Sequence, residues 1–184
     1  MQEPSGQVTA PALQALLAGG ALAGEWALDP RKSSIRLKSR AMWGLAPVNG
    51  VFRQVTGKGT VSAAGKVGGT VTVAAASIDT KNAWRDTHLR SADFFDTGTY
   101  PDLSVTVDGI RPSGRGVAVT GALTVRGVTR PLSFDAATAV HGDGEVWLDA
   151  EVHVNRAGFG LTWNLMGMAS MHNTLIIHAV FSRR

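Results

Sequence analysis

From Glu25 onward the residues alternate between apolar and polar with a period of two. Ile35, Leu37, Ser39 and Ala41 alternate with Arg36, Lys38 and Arg40. Val71, Val73 and Ala75 alternate with Thr70, Thr72 and Ala74, and Leu103, Val105 and Val107 with Ser104, Thr106 and Asp108. Val146, Leu148, Ala150, Val152 and Val154 alternate with Glu145, Trp147, Asp149, Glu151 and His153. Successive side chains of a strand point to opposite faces, so each run has one apolar and one wet face, the mark of antiparallel sheet. Between the runs stand turn signals: Ala64-Gly65-Lys66, Asp108-Gly109, Ser113-Gly114-Arg115-Gly116, Arg126-Gly127 and Gly142-Asp143-Gly144. A meander of about eight strands has two exposed edges, and closing it into a barrel removes both. The pattern thus predicts an all-β fold, an antiparallel up-and-down eight-stranded barrel. Its interior should carry Val71, Val73, Val105, Val119, Leu123, Phe134, Leu148 and Val152.

One stretch breaks the alternation, Asn82 to Tyr100, NAWRDTHLRSADFFDTGTY. Asn82 suits a helix N-cap, and Asp86 and Arg90 are four apart with the acid first, the favourable order for a pair on one helix face. Asp93-Phe94-Phe95-Asp96 follows, two rings between carboxylates, then a Tyr100-Pro101 break. The stretch reads as a short helix and an aromatic plug over one end of the barrel.

The first 24 residues form an arm ahead of the barrel domain at 25–184. Thr9 to Ala18 reads as a short helix, with Pro11 in its first turn, Leu13, Leu16 and Leu17 on one side, and Gly19-Gly20 as its stop. Ala21-Leu22-Ala23 resembles an export cleavage site, but no Lys or Arg precedes Arg31 and Glu3 is acidic. The expectation is a retained helix and a cytoplasmic protein, with export after Ala23 as the alternative. So short a helix needs a surface for its leucines. The run Thr174 to Phe181, apolar on both faces, is one candidate surface.

Composition closes several routes. The chain has no cysteine, which removes disulfides, thiol catalysis and cysteine-ligated metals. Its net charge of +4 is scattered and forms no basic run, so nucleic acid is not an expected partner. No segment approaches the ~20 apolar residues needed to span a bilayer as a helix.

The inward positions are mostly small or medium. Large groups come from Met42, Trp43, Phe52, Leu89, Phe94, Phe95, Phe159, Leu161, Trp163, Met166, Met168 and Met171. Small walls with bulky ends fit an elongated apolar cavity. A solid core with these groups filling its middle fits the pattern equally.

Several blocks then bring a family into view. Trp26-x-Leu28-Asp29-Pro30 with Ser33 is followed by Val48-x-Gly50-x-Phe52 and Ala76-Ser77-Ile78-Asp79-Thr80. Asp86-x-His88-Leu89-Arg90-Ser91-x-Asp93-Phe94-Phe95-Asp96 and Tyr100-Pro101 come next. Gly121-x-Leu123-Thr124-Val125-x-Gly127-Val128-Thr129-x-Pro131-Leu132 and Asn155-Arg156-x-x-Phe159-Gly160-Leu161 complete the set. In order and spacing the chain resembles the YceI-like family of polyisoprenoid-binding proteins over residues 25–184. The resemblance implies a lipocalin-like barrel whose pore holds a long isoprenoid chain, such as a polyprenyl diphosphate or a quinone tail, for carriage, storage or sequestration. It implies no catalytic residues and no cofactor beyond that lipid. Two positions depart from the family pattern: Lys32 stands where a His is usual, and Gly158 where an acid is usual. Both departures are expected to remove polar groups near a headgroup.

Arg90 and Arg156 are the candidates for an anionic head, because a guanidinium fork suits a diphosphate. The plainer expectation is that both pair with the nearby carboxylates Asp79, Asp86, Asp93 and Asp96, clamping the lid to the barrel. Asp86, His88 and Ser91 cannot converge as a catalytic triad at their spacing on a short helix. No G-x-S-x-G or H-E-x-x-H is present, so enzyme activity is not expected. Met166, Met168, Met171 and His172 could suit Cu(I), but methionine in an apolar pore is the commoner use. The rival to a lipid carrier is an interaction module with a filled barrel, recruiting a partner or forming a homodimer through its N-terminal helix.

Overall fold

The computed structural model describes residues 6–142 and 144–184. Met1 to Ser5 of the arm and Asp143 of the Gly142–Gly144 turn lie outside them. Among the described residues, eleven strands form one sheet: β1 Gly24–Leu28, β2 Ser34–Ala41, β3 Ala46–Phe52, β4 Val55–Val61, β5 Val67–Ala74, β6 Ile78–Asp79, β7 Asp102–Ser113, β8 Gly116–Val125, β9 Val128–His141, β10 Glu145–Asn155 and β11 His172–Arg183.

The registers reduce these eleven to eight. β1 pairs with the end of β11 through Trp26–Arg183, and β2 with its middle through Thr174–Lys38, so β1 and β2 are two halves of one long strand. The Asp29–Ser33 excursion between them folds over β11. There Ser33 Oγ accepts from the Val180 amide at 2.9 Å, the Asp29 amide donates to the Val180 carbonyl, and Val180 is fully buried. In the same way β3 and β4 together line β1 and β2, and β5 and β6 together line β4 and β3. With β7 to β11 following as neighbours, the chain is an antiparallel eight-stranded meander closed by β1 and β11. Among the described residues, no helix is long and apolar enough to cross a membrane.

The parity read from the sequence holds. Val73, Val119, Leu123 and Val152 are buried, and Val71, Val105, Phe134 and Leu148 pack against the two core clusters. Gly121 is required by a close approach of strands: a Cβ there would overlap the Thr106 carbonyl of β7. Gly121→Ala is expected to destabilise the barrel by about 2–3 kcal/mol through overpacking, measured by urea unfolding. An unchanged midpoint would show that β7 can move aside.

The two ends of the barrel differ. At one end the connections are tight hairpins near Gly65, Gly114 and Gly142. At the other, two tight turns, at residues 42–45 and 126–127, stand beside two long connections over residues 80–101 and 156–171. Helix α1, Ala10–Ala18, closes the hairpin end, with Leu13 and Leu17 buried beside Leu22, Trp26, Val117, Val119 and Ala136. The bridge between Gln7 and Ala139 and the bond from the Ala10 amide to the Gly114 carbonyl hold the arm there. The helix is therefore not the cover of β11. Its leucine stripe seals the open bottom of the core, which has more apolar area to offer than one strand's outer face. That use buries Leu13 and Leu17 and leaves Leu16 half-buried beside them.

Candidate functional site

The long connections build a roof over the other end. Helix α2, Ala83–Arg90, starts where Asn82 Oδ1 accepts from the Arg85 amide and ends at Ser91, whose hydroxyl donates to the His88 carbonyl. The chain then doubles back. The Phe95 amide donates to the Leu89 carbonyl and the Thr97 amide to that of Arg90, which turns both rings toward the barrel.

Beneath this roof lies a cavity of about 410 Å³. Its walls are the inward residues of the strands, Ile35, Leu37, Val71, Val73, Leu103, Val105, Leu123, Val125, Leu175 and Ile177 among them. Trp84 and Leu165 also line it and are themselves 78 % and 60 % exposed, so the cavity reaches the surface at this end. The bulky residues do not fill the middle of the barrel, and of the two arrangements left open by the pattern the cavity is the one that forms. A second cavity of about 130 Å³ lies toward α1, and Val71 borders both.

Of the residues singled out in the sequence, Phe52, Leu89, Phe94, Phe95, Arg156, Phe159, Leu161, Trp163 and Met168 line the larger cavity. Phe94, His88 and Trp163 form an aromatic cluster with centroids 4.3–5.4 Å apart, and Phe95 meets Phe52 edge-on at 6.1 Å. Met42, Trp43, Arg90, Met166 and Met171 stand outside the wall. Met42, Trp43 and Met166 are exposed on the rim, and the Met171 carbonyl accepts from the Arg156 amide. The three methionines Met166, Met168 and Met171 thus occupy three different settings. Trp84, Arg85, His88 and Leu165 are wall residues that pattern reading missed. An apolar residue on an irregular segment looks the same in sequence whether it faces a cavity, a core or water.

The arginines take a different course from the one expected. Among the described residues, neither Arg90 nor Arg156 pairs with a carboxylate. Arg90 donates to the carbonyls of Ala76 and Ile78. Arg156, 8 % exposed, donates to Leu161, Trp163, Ala169 and Ser170 and stacks 5.4 Å from the Phe94 ring. Burial pulls its pKa below the ordinary arginine value. Arg126 likewise donates to Phe94, and Arg130 to Gly158. Irregular backbone has carbonyls that no strand satisfies, and an unpaired buried carbonyl costs more than a surface acid loses by staying in water. So the clamp exists, but its acceptors are carbonyls: Arg156 engages all three of its guanidinium nitrogens with them, and Arg90 two.

The carboxylates go elsewhere too. Asp86, buried, accepts from the amide and hydroxyl of Thr80 instead of pairing with Arg90. Asp79 accepts from Arg53 and Lys81, which hold its carboxyl well below the usual range. That contribution is present above the unfolded-state pKa and is lost only as pH falls through the depressed one. His88 Nε2 meets Asp93 at 2.9 Å, so Asp86, His88 and Ser91 each have a separate partner. Lys32 pairs with Glu145 at 2.5 Å beside the hairpin end, far from any headgroup at the cavity mouth, while Gly158 lies at the roof.

Comparison with known proteins agrees with this architecture. The family model of the YceI-like domain matches residues 26–181. Protein YceI of Escherichia coli is 33 % identical over 171 residues, covering 87 % of each chain. Among solved structures, Burkholderia cenocepacia BcnA superposes with a TM-score of 0.75 at 21 % identity, covering 83 % of this chain and 98 % of its own. A polyisoprenoid binding domain from Saccharophagus degradans, implicated in plant cell wall breakdown, superposes at 0.69 with 17 % identity, covering 86 % and 98 %. At such identities these two show a shared fold.

Proposed function

The chain belongs to the YceI-like domain family, and from that premise we propose that it binds a long isoprenoid lipid, tail inward, as a carrier or store. The observation that carries this reading is the apolar cavity of about 410 Å³ open at the roof, within the usual range for ligand sites. Each methylene moved from water into it contributes about 0.8 kcal/mol, so a few isoprene units outweigh a single polar contact. Because Arg90 and Arg156 are committed to backbone carbonyls, the head is left at the rim rather than gripped. A quinone ring or an exposed diphosphate both suit that arrangement. Binding without chemistry is part of the proposal.

Organic extraction of protein purified from its native host, followed by mass spectrometry, tests it. A polyprenoid or quinone in near-stoichiometric amount is the expected result. Protein that carries none, and takes up no added geranylgeraniol, refutes the reading.

A further inference from the structure

Every large apolar side chain that is exposed among the described residues lies at the roof end of the barrel. Three segments bring most of them together. The β2–β3 tip presents Met42, Trp43 and Leu45, at 49, 64 and 83 % exposure. The turn Leu165–Gly167 adds Leu165 and Met166, and α2 adds Trp84. The tip and the turn are joined: the Trp43 indole donates to the Met166 carbonyl at 3.2 Å and the Trp43 amide to the Met168 carbonyl. Met42, Trp43 and Met166 hold left-handed backbone with φ of 51°, 54° and 52°, unfavourable for side chains of this size. The fold thus maintains these groups outward on a strained, braced scaffold.

The same edge is basic. Arg36, Lys38 and Arg40 alternate on the outer face of β2 and lead up to the tip, all exposed. Their cross-strand neighbours are Ile176 and Thr174 on β11 and Val51, Asn49 and Pro47 on β3, none of them acidic. None of the three forms an ion pair among the described residues.

We propose that this rim docks on an anionic lipid bilayer, with Trp43, Leu45, Trp84, Leu165 and Met166 seated at the interface and Arg36, Lys38 and Arg40 against the headgroups. Tryptophan favours the headgroup level, and basic residues beside an apolar anchor are drawn to anionic lipid. Docking in this pose sets the cavity mouth against the membrane, where an isoprenoid can pass between the two without crossing water. The purpose rests on the lipid-binding reading, but the docking itself does not need cargo.

Sedimentation with vesicles tests it. Wild-type protein is mixed with vesicles of phosphatidylcholine alone, or of phosphatidylcholine with phosphatidylglycerol, and compared with a Leu45→Ser, Met166→Ser double variant. Both side chains are exposed and stand outside the cavity wall, and the Trp43 brace is left intact, so the variant should fold as the parent does. The expected result is preferential binding to the anionic vesicles, weakened by added salt and reduced on the order of tenfold or more in the variant. Uptake of geranylgeraniol delivered in ethanol should be unaffected. Wild-type protein that sediments with neither vesicle overturns the proposal, as does a variant that sediments as well as the parent. A rim that instead holds two copies together, seen as a dimer in sedimentation velocity that the variant abolishes, also overturns it. Failure of geranylgeraniol uptake in both proteins would count against the lipid-carrier reading instead, so the two failures are separable.

Discussion

Arg156→Met is expected to lower stability by about 4 kcal/mol, because it leaves four roof carbonyls, one buried and three half-buried, without a donor at once. For a chain of 184 residues that corresponds to a fall in Tm of roughly 10 °C. The damage should be local in origin. The carbonyls of Leu161, Trp163, Ala169 and Ser170 all belong to the connection that roofs the cavity, and one guanidinium holds them together. Hydrogen exchange should therefore quicken across 157–171 while β7 and β8 remain protected. Arg156→Lys should recover little, since a point charge cannot reach four acceptors in a fan. A Tm within a degree of the parent would mean that water replaces the arginine readily and that the roof is looser than its bonding implies.

The second large effect is at Phe94. Its ring is buried, edge-on to His88 and tilted against Trp163, and also faces the cavity. Phe94→Ala should cost about 3 kcal/mol, the low end for a buried phenylalanine, because one side of the ring already borders empty space. Phe94→Trp should change stability little and narrow the cavity mouth. Lipid retained after purification should fall with both variants, by leakage in the first and by obstruction in the second. Two readouts on the same proteins, Tm and bound lipid, distinguish a throat from a plain core position. A large loss of stability in Phe94→Ala, from a parent that never carries lipid, would end the carrier reading.

What could be read ahead of the structure followed physical reach. Strand parity depends on the residue and its neighbours two positions away, and Leu123 or Val73 could be assigned inward on that alone. The Asn82 cap and the Gly19-Gly20 stop are equally local, and both helices appear where those signals put them. The eight-strand count survived even though three long strands are each broken by an excursion, because the two halves of each keep the same neighbouring strands. The inward parity itself switches across each break, from Trp26 and Leu28 to Ile35 for example. Destinations at long range were not legible. The leucine stripe of α1 says that the helix must pack, and nothing in it says whether on β11 or in the barrel's end. Four acids near Arg90 suggested ion pairs. The acceptors that won were carbonyls orphaned by irregular backbone, and every residue carries a carbonyl, so sequence cannot flag which are left over. Trp84 and Leu165 were invisible as wall residues for a related reason: exposure at a rim depends on which loops meet, which only the closed barrel decides.

The α1 seal has a kinetic consequence. A barrel blocked at one end is a sac, and whatever enters tail-first must leave head-first by the same opening. A newcomer cannot push the occupant out from behind, so exchange has to be dissociative: departure precedes arrival. On the lipid-binding proposal, the turnover of a held lipid is then governed by its own escape, however many acceptors wait outside.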